Sequence, residues 1–141
     1  MEKLISALPG WQRNGVALVR IITGYLLVYH GWEVFNETKM DEYAAWDMYR
    51  NNSFGKIMVY MGKAAELTAG ILLMMGFFTR LASFIIICTF LYISFFVGNG
   101  KIWYEDQHPF LFVLIGLIFF FIGPGALSLD RRIFKNKKSS H

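Results

Sequence analysis

A lysine and a glutamate, Lys63 and Glu66, stand three residues apart inside the otherwise apolar run IMVYMGKAAELTAGILLMMGFF. In a soluble helix such a pair marks the wet face; across a lipid bilayer each charge is costly and needs a partner. Counting about 100° per residue from Glu66, Lys63 falls at about +60°, Gly70 at about +40° and Ala69 at about −60°. Charges and small residues therefore share one face. That face is expected to turn toward other helices, because Gly and Ala admit close approach and charges avoid lipid.

An upstream run, VALVRIITGYLLVYHGWEVF, carries a matching face of Arg20, Thr23, Gly24, Leu27, His30 and Gly31 within an arc of roughly 120°. At about 1.5 Å rise per residue, His30 and Lys63 reach similar heights, each about 22 Å from the inner helix ends, with Glu66 at about 18 Å and Arg20 at about 7 Å. The expected site is a polar seam of Arg20, His30, Lys63 and Glu66. In it Glu66 is the counter-charge for Lys63 and, through an extended side chain or water, for Arg20. His30 suits proton exchange, since an imidazole titrates near neutrality.

Metal chemistry is weakly supported. Glu33 follows His30 by one helical turn and His108 falls at a similar outer height, but a haem needs two facing rings. A metal needs a further ligand such as Glu105 or Asp106. No metal site is expected from His30, Glu33 and His108. The one cysteine, Cys88, rules out an intrachain disulfide or a CxxC pair and reads as a small apolar filler in a helix.

The elements that must position these residues follow from composition. The 141-residue chain is 55% hydrophobic, 18% aromatic and 17% charged, with a mean hydropathy of +0.41. A soluble domain is typically about a quarter charged. Four runs are long and apolar enough to be read as crossings, at about 16–35, 57–78, 81–97 and 109–127. The expected fold is all-α, an integral membrane four-helix bundle forming a single domain.

Only Thr79 and Arg80 separate the second and third runs, so these form a tight hairpin, with Gly76 ending one helix and Thr79 capping the next. Outer loops then span 36–56 and 98–108. The tail 130–141 carries Arg131, Arg132, Lys135, Lys137 and Lys138, and Lys3, Arg13 and Arg80 add to the same side. Positive charge marks the cytoplasmic side, so both termini are expected there. Arg80 is expected to hold helix-end carbonyls or lipid phosphate. Gly123, Pro124 and Gly125 end or bend the last helix, and Asp130 beside two arginines tethers the tail.

Trp11, Trp32, Trp46 and Trp103 all fall at expected membrane interfaces, where an indole buries its ring and keeps its N–H wet. The net charge of +4 and pI near 9.3 then read as a basic flank meeting anionic lipid. No recognition motif for nucleic acid accompanies them. The N-terminal MEKLISALPG is too short in its apolar part for a signal peptide and reads as an interfacial helix.

Arg20 and Gly24, then HGWEVF, AELTAGILLMMGFFTRLAS and IGPGALSLDRR together resemble the DoxX family of small four-helix membrane proteins. The match includes Gly31, Glu66, Gly70, Gly76, Arg80, Gly123, Pro124, Gly125, Ser128, Leu129 and Asp130. The resemblance implies a bacterial cytoplasmic (inner) membrane protein. Some relatives are subunits of thiosulfate:quinone oxidoreductases and some associate with redox partners; a branch with paired cysteines performs disulfide-linked redox work that Cys88 alone does not support.

The functional expectation is an accessory or assembly subunit of a quinone-linked oxidoreductase complex, not catalytic on its own. In it MDEYAAWDMYR supplies either a docking surface or interfacial anchors. The alternatives are a quinone-binding redox subunit with a charged intramembrane pocket, and a small transporter or proton path that would require a homo-oligomer. The expected partners are the lipid bilayer and other membrane or redox-complex subunits, with no intrinsic cofactor beyond a bound quinone. Residues 63–66 lead all three readings.

Overall fold

The computed structural model describes residues 9–125 and 127–136. The expected interfacial helix before Pro9, with Lys3, and the basic tail from 137 lie outside the described residues, as do the side chains of Trp11 and Arg13.

The described chain is helical, with no strand among the described residues. Helix α1 runs Pro9–Gly31 and tightens into a 3₁₀ turn at Trp32–Phe35. Two short helices follow, α2 at Glu37–Ala44 and α3 at Asp47–Arg50. Helix α4 spans Gly55–Met75; α5 spans Thr79–Tyr92 and ends in a π turn at Ile93–Val97. Helix α6 spans Gln107–Ile122 and α7 spans Leu129–Asn136.

Three of these segments are long and apolar enough to cross a bilayer, namely Asn14–Phe35, Gly55–Met75 and Thr79–Val97. The fourth apolar run, expected to extend to 127, ends sooner as a helix. Helix α6 has 16 residues, about 24 Å at helical rise, against a hydrocarbon core of about 30 Å. Gly123 at φ +79° breaks it, and beyond it Pro124 and Leu127 meet Arg20 while Asp130 meets the α4–α5 turn.

The outer loop 36–56 is likewise structured. Asn36 caps α2 by accepting from the amide of Lys39 at 3.2 Å, and Met40, Tyr49 and Val59 form a small buried cluster that fastens α2 and α3 to α4.

The long helices pack in the order α1 on α4, α4 on α5 and α5 on α6. Glycine makes the first contact close. A Cβ at Gly24 would lie 2.6 Å from the Met74 amide nitrogen, and one at Gly70 would lie 2.8 Å from that of Val28. Backbones meet here directly, as the small-residue face required. The main core joins Leu27, Ala69, Leu73, Ala82, Ile86 and Phe119, together with Phe90 stacked on Phe112 at 4.8 Å between centroids.

The hairpin ends as read on one side and not on the other. Gly76 takes the left-handed conformation at φ +65°, and Phe77 donates back to Leu72 O at 2.9 Å, closing α4. Thr79 does not cap α5, for its hydroxyl is buried with no hydrogen-bond partner among the described residues. The cap comes from Asp130, whose two carboxylate oxygens accept from the amides of Phe78 and Thr79.

Candidate functional site

Lys63 is the centre of a polar cluster. Its ammonium lies 3.2 Å from Glu66 Oε2 on the same helix and 3.0 Å from Glu33 Oε2, which the 3₁₀ turn after α1 swings inward. It also stands 4.9 Å over the ring of Tyr43 from α2, a cation–π distance, and 3.5 Å from the His30 carbonyl oxygen. Tyr43 donates its hydroxyl to Glu33 at 2.8 Å. Burial, and then the bond to Glu33, raise the Tyr43 hydroxyl above its ordinary pKa. Glu66 is 6% exposed, so the cation that the sequence demanded beside it is the group that makes its burial tolerable.

This cluster forms one wall of a cavity of about 260 Å³. Tyr43 of α2, Trp46 between α2 and α3, and Tyr49 of α3 roof it; Gly62, Lys63 and Glu66 of α4 face Thr89, Phe90 and Tyr92 of α5; His30 and His108 complete its lining. The π turn contributes Ile93 and Val97, a distortion often found where a helix lines a site. Tyr49 is 8% exposed, and burial followed by the neighbouring Tyr92 pushes its hydroxyl up to about 12. Tyr43 and Tyr49 thus line the roof of this cavity, while Trp46 remains half exposed at 49%. What sequence reasoning missed is this roof and the role of Glu33, whose partners sit on other elements. The one sequence signal was Glu33 a turn after His30.

Arg20 is not part of the seam. It is fully buried at 0% exposure toward the α4–α5 turn, donating to the carbonyls of Pro124 and, at 2.8 Å, Leu127. Arg20 therefore ties the fold-back after α6, which also presents Asp130 to the turn. Asp130 thus binds the hairpin, not the neighbouring arginines.

The weak metal candidates are dispersed in function. Glu33 is held by Lys63 and Tyr43, and His108 lies edge-on to Phe112 at 5.5 Å. Asp106 accepts from the amides of Asn99 and Lys101 at 3.0 and 2.9 Å, and Glu105 pairs with Lys101. No cluster of three or more metal-ligating side chains occurs among the described residues. Cys88, expected as a filler within a helix, is exposed on α5.

A model of the DoxX family matches residues 15–99. The chain is similar to a Haemophilus influenzae protein described as an uncharacterized protein, at 31% identity over 127 residues, covering 85% of this chain and 91% of that protein. No solved structure matches at a significant level. The matched segment holds most of α1, then α2 to α5, and with them the Lys63 cluster and most of the cavity: the chain is a membrane protein of the DoxX family.

Proposed function

We propose that this protein is a quinone-binding accessory subunit of a membrane redox complex, which holds the headgroup while a partner oxidoreductase supplies electrons. The observation that carries the reading is the outer cavity, with aromatic walls on several sides and His30, Lys63, Glu66 and His108 among its lining. A flat ring with two carbonyl oxygens suits such walls. Aromatic faces take its plane by offset stacking, and imidazole or ammonium N–H groups donate to its oxygens. At about 260 Å³ the space lies near the lower bound of about 300 Å³ for small-molecule pockets. It fits a headgroup whose apolar tail stays among lipids.

A bound quinone accepts two electrons and two protons. The residues of this chain orient the ring, exclude bulk water through the Tyr43, Trp46 and Tyr49 roof, and place the titratable side chains of His30 and Glu66 at the cavity wall. Lys63, held between two carboxylates, fixes the local charge. The excess of basic residues at the end bearing Arg80 and α7 supports a bacterial cytoplasmic membrane with that end inside.

The test is gentle extraction from native membranes, with mass spectrometry of co-purifying proteins and quinones, and labelling by a photoreactive quinone analogue. A stoichiometric oxidoreductase partner is expected, with labelling of the segments around Tyr43–Met58 and Thr89–Phe112 that added quinone suppresses. A lone protein whose labelling does not compete would overturn the reading.

A further inference from the structure

The end of the bundle opposite the cavity holds a second pocket, of about 620 Å³, where the α4–α5 turn meets the fold-back after α6. Phe78, Leu81 and Pro124 give it apolar walls, Arg80 and Arg131 give it positive charge, and Thr79 lies at its base. Asp130 also borders the pocket, but both of its oxygens are engaged by the turn amides. Neither Arg80 nor Arg131 makes an ion pair among the described residues. Arg80 lies across the last turn of α6, its Nε 3.9 Å from where a Cβ of Gly123 would stand.

Thr79 is 0% exposed beneath the pocket with its amide held by Asp130, so the groups that offer charge to an occupant are Arg80 and Arg131.

We infer that this pocket seats an anionic phospholipid, its phosphate between Arg80 and Arg131 and its glycerol and upper acyl carbons against Phe78, Leu81 and Pro124. The two guanidinium groups match a phosphate of any origin. The apolar walls distinguish the source. Phe78 and Leu81 are 49% and 53% exposed at the level where α4 and α6 end and α5 begins, the setting in which headgroups would meet hydrocarbon. Basic pockets between helix ends are a recurrent setting for anionic lipid. The inference stands apart from the quinone reading, since it uses the other end of the bundle.

The experiment is lipid titration of the full-length protein in neutral detergent, read by native mass spectrometry. The probes are phosphatidylglycerol, phosphatidylcholine with the same chains, and inorganic phosphate as competitor. Phosphatidylglycerol is expected to bind at least about tenfold more tightly than phosphatidylcholine. Arg80→Gln or Arg131→Gln should weaken it about fivefold each and the double variant about 25-fold, at roughly 1 kcal/mol per surface arginine. Arg132→Gln on the same helix and Arg50→Gln at the other end should stay within about twofold. Arg80→Lys with Arg131→Lys keeps the charge and should keep most of the affinity, which separates lost binding from lost fold. Equal binding of the two lipids, or an Arg132→Gln loss as large as that of Arg80→Gln, would overturn the site; displacement of the lipid by inorganic phosphate would make it a small-anion pocket instead.

Discussion

Asp130 caps a helix that starts fifty-one residues before it: Oδ1 accepts from the Phe78 amide at 2.8 Å and Oδ2 from the Thr79 amide at 3.0 Å. The first turn of α5 thereby receives a negative charge at its positive end from a segment that is remote in sequence. Arg20 holds the same segment from below through the carbonyls of Pro124 and Leu127. The segment after α6 is therefore a clasp on the α4–α5 turn.

Removing the clasp should loosen that turn before it unfolds the bundle. Asp130→Ala is expected to destabilise the protein by about 1 kcal/mol, the usual value of a lost cap, and Asp130→Asn by about half of that. Hydrogen exchange at the amides of Phe78 and Thr79 should rise in the alanine variant while the amides of α1 stay protected. Unchanged exchange at both amides would contradict the cap.

Helix contact at Gly24 and Gly70 should be intolerant of a single methyl group. Gly24→Ala and Gly70→Ala each place a Cβ within 3 Å of partner backbone, so the helices must separate, at about 1–3 kcal/mol. Gly15→Ala and Gly62→Ala meet nothing within 4 Å and should melt within about 0.5 kcal/mol of the parent. Thermal unfolding in one detergent compares all four, and equal losses would remove the packing argument.

The Lys63 cluster separates structure from chemistry. Lys63→Ala leaves Glu66, 6% exposed, and Glu33, with a side chain 27% exposed, without their shared cation, and should destabilise by about 3–5 kcal/mol. The double variant Lys63→Met with Glu66→Met removes the more buried pair, leaves Glu33 to the Tyr43 hydroxyl, and should recover part of that stability, since buried ion pairs often add little over apolar replacements. Quinone labelling should be lost in both variants. Labelling that returns along with stability would leave the cluster a purely structural role.

Alkaline pH should open the roof. Tyr49 has its hydroxyl raised from 10.0 to about 12 by burial and then by Tyr92, and Tyr43 shifts in the same direction. The unfolded chain loses these protons first, so stability is full below pH 10 and falls as pH rises toward 12. Tyr49→Phe removes its share of this dependence. Melting temperatures measured across that interval should fall less steeply in the variant, and identical slopes would count against burial of the hydroxyl.

Much of the fold was legible because it is local. Apolar run length exposed the spanning segments, 100° periodicity put Lys63, Glu66 and Gly70 on one face, and Gly76 and the Gly123–Gly125 triplet announced helix ends through backbone conformations that other residues resist. The Lys63–Glu66 pair was readable for the same reason, since residues three apart on a helix are neighbours by geometry alone.

Tertiary structure decided what depends on residues far apart in the chain. Arg20 faced the seam by angle, yet at its height the fold-back after α6 offers carbonyl oxygens and no carboxylate of α4 is within reach. Glu33 became the second partner of Lys63 from a 3₁₀ turn that replaces the helix after Gly31, a contact between segments thirty residues apart in the chain. Tyr43 and Tyr49 lie in a loop whose polar spacing shows no membrane signal, and they become a roof only through contact with α4. The sequence by itself determined which segments are apolar and which charges need partners, because hydrophobicity and helical period act over neighbouring residues. Only the packed chain decided which partner each charge received, because that choice rests on distances between segments that no local pattern encodes.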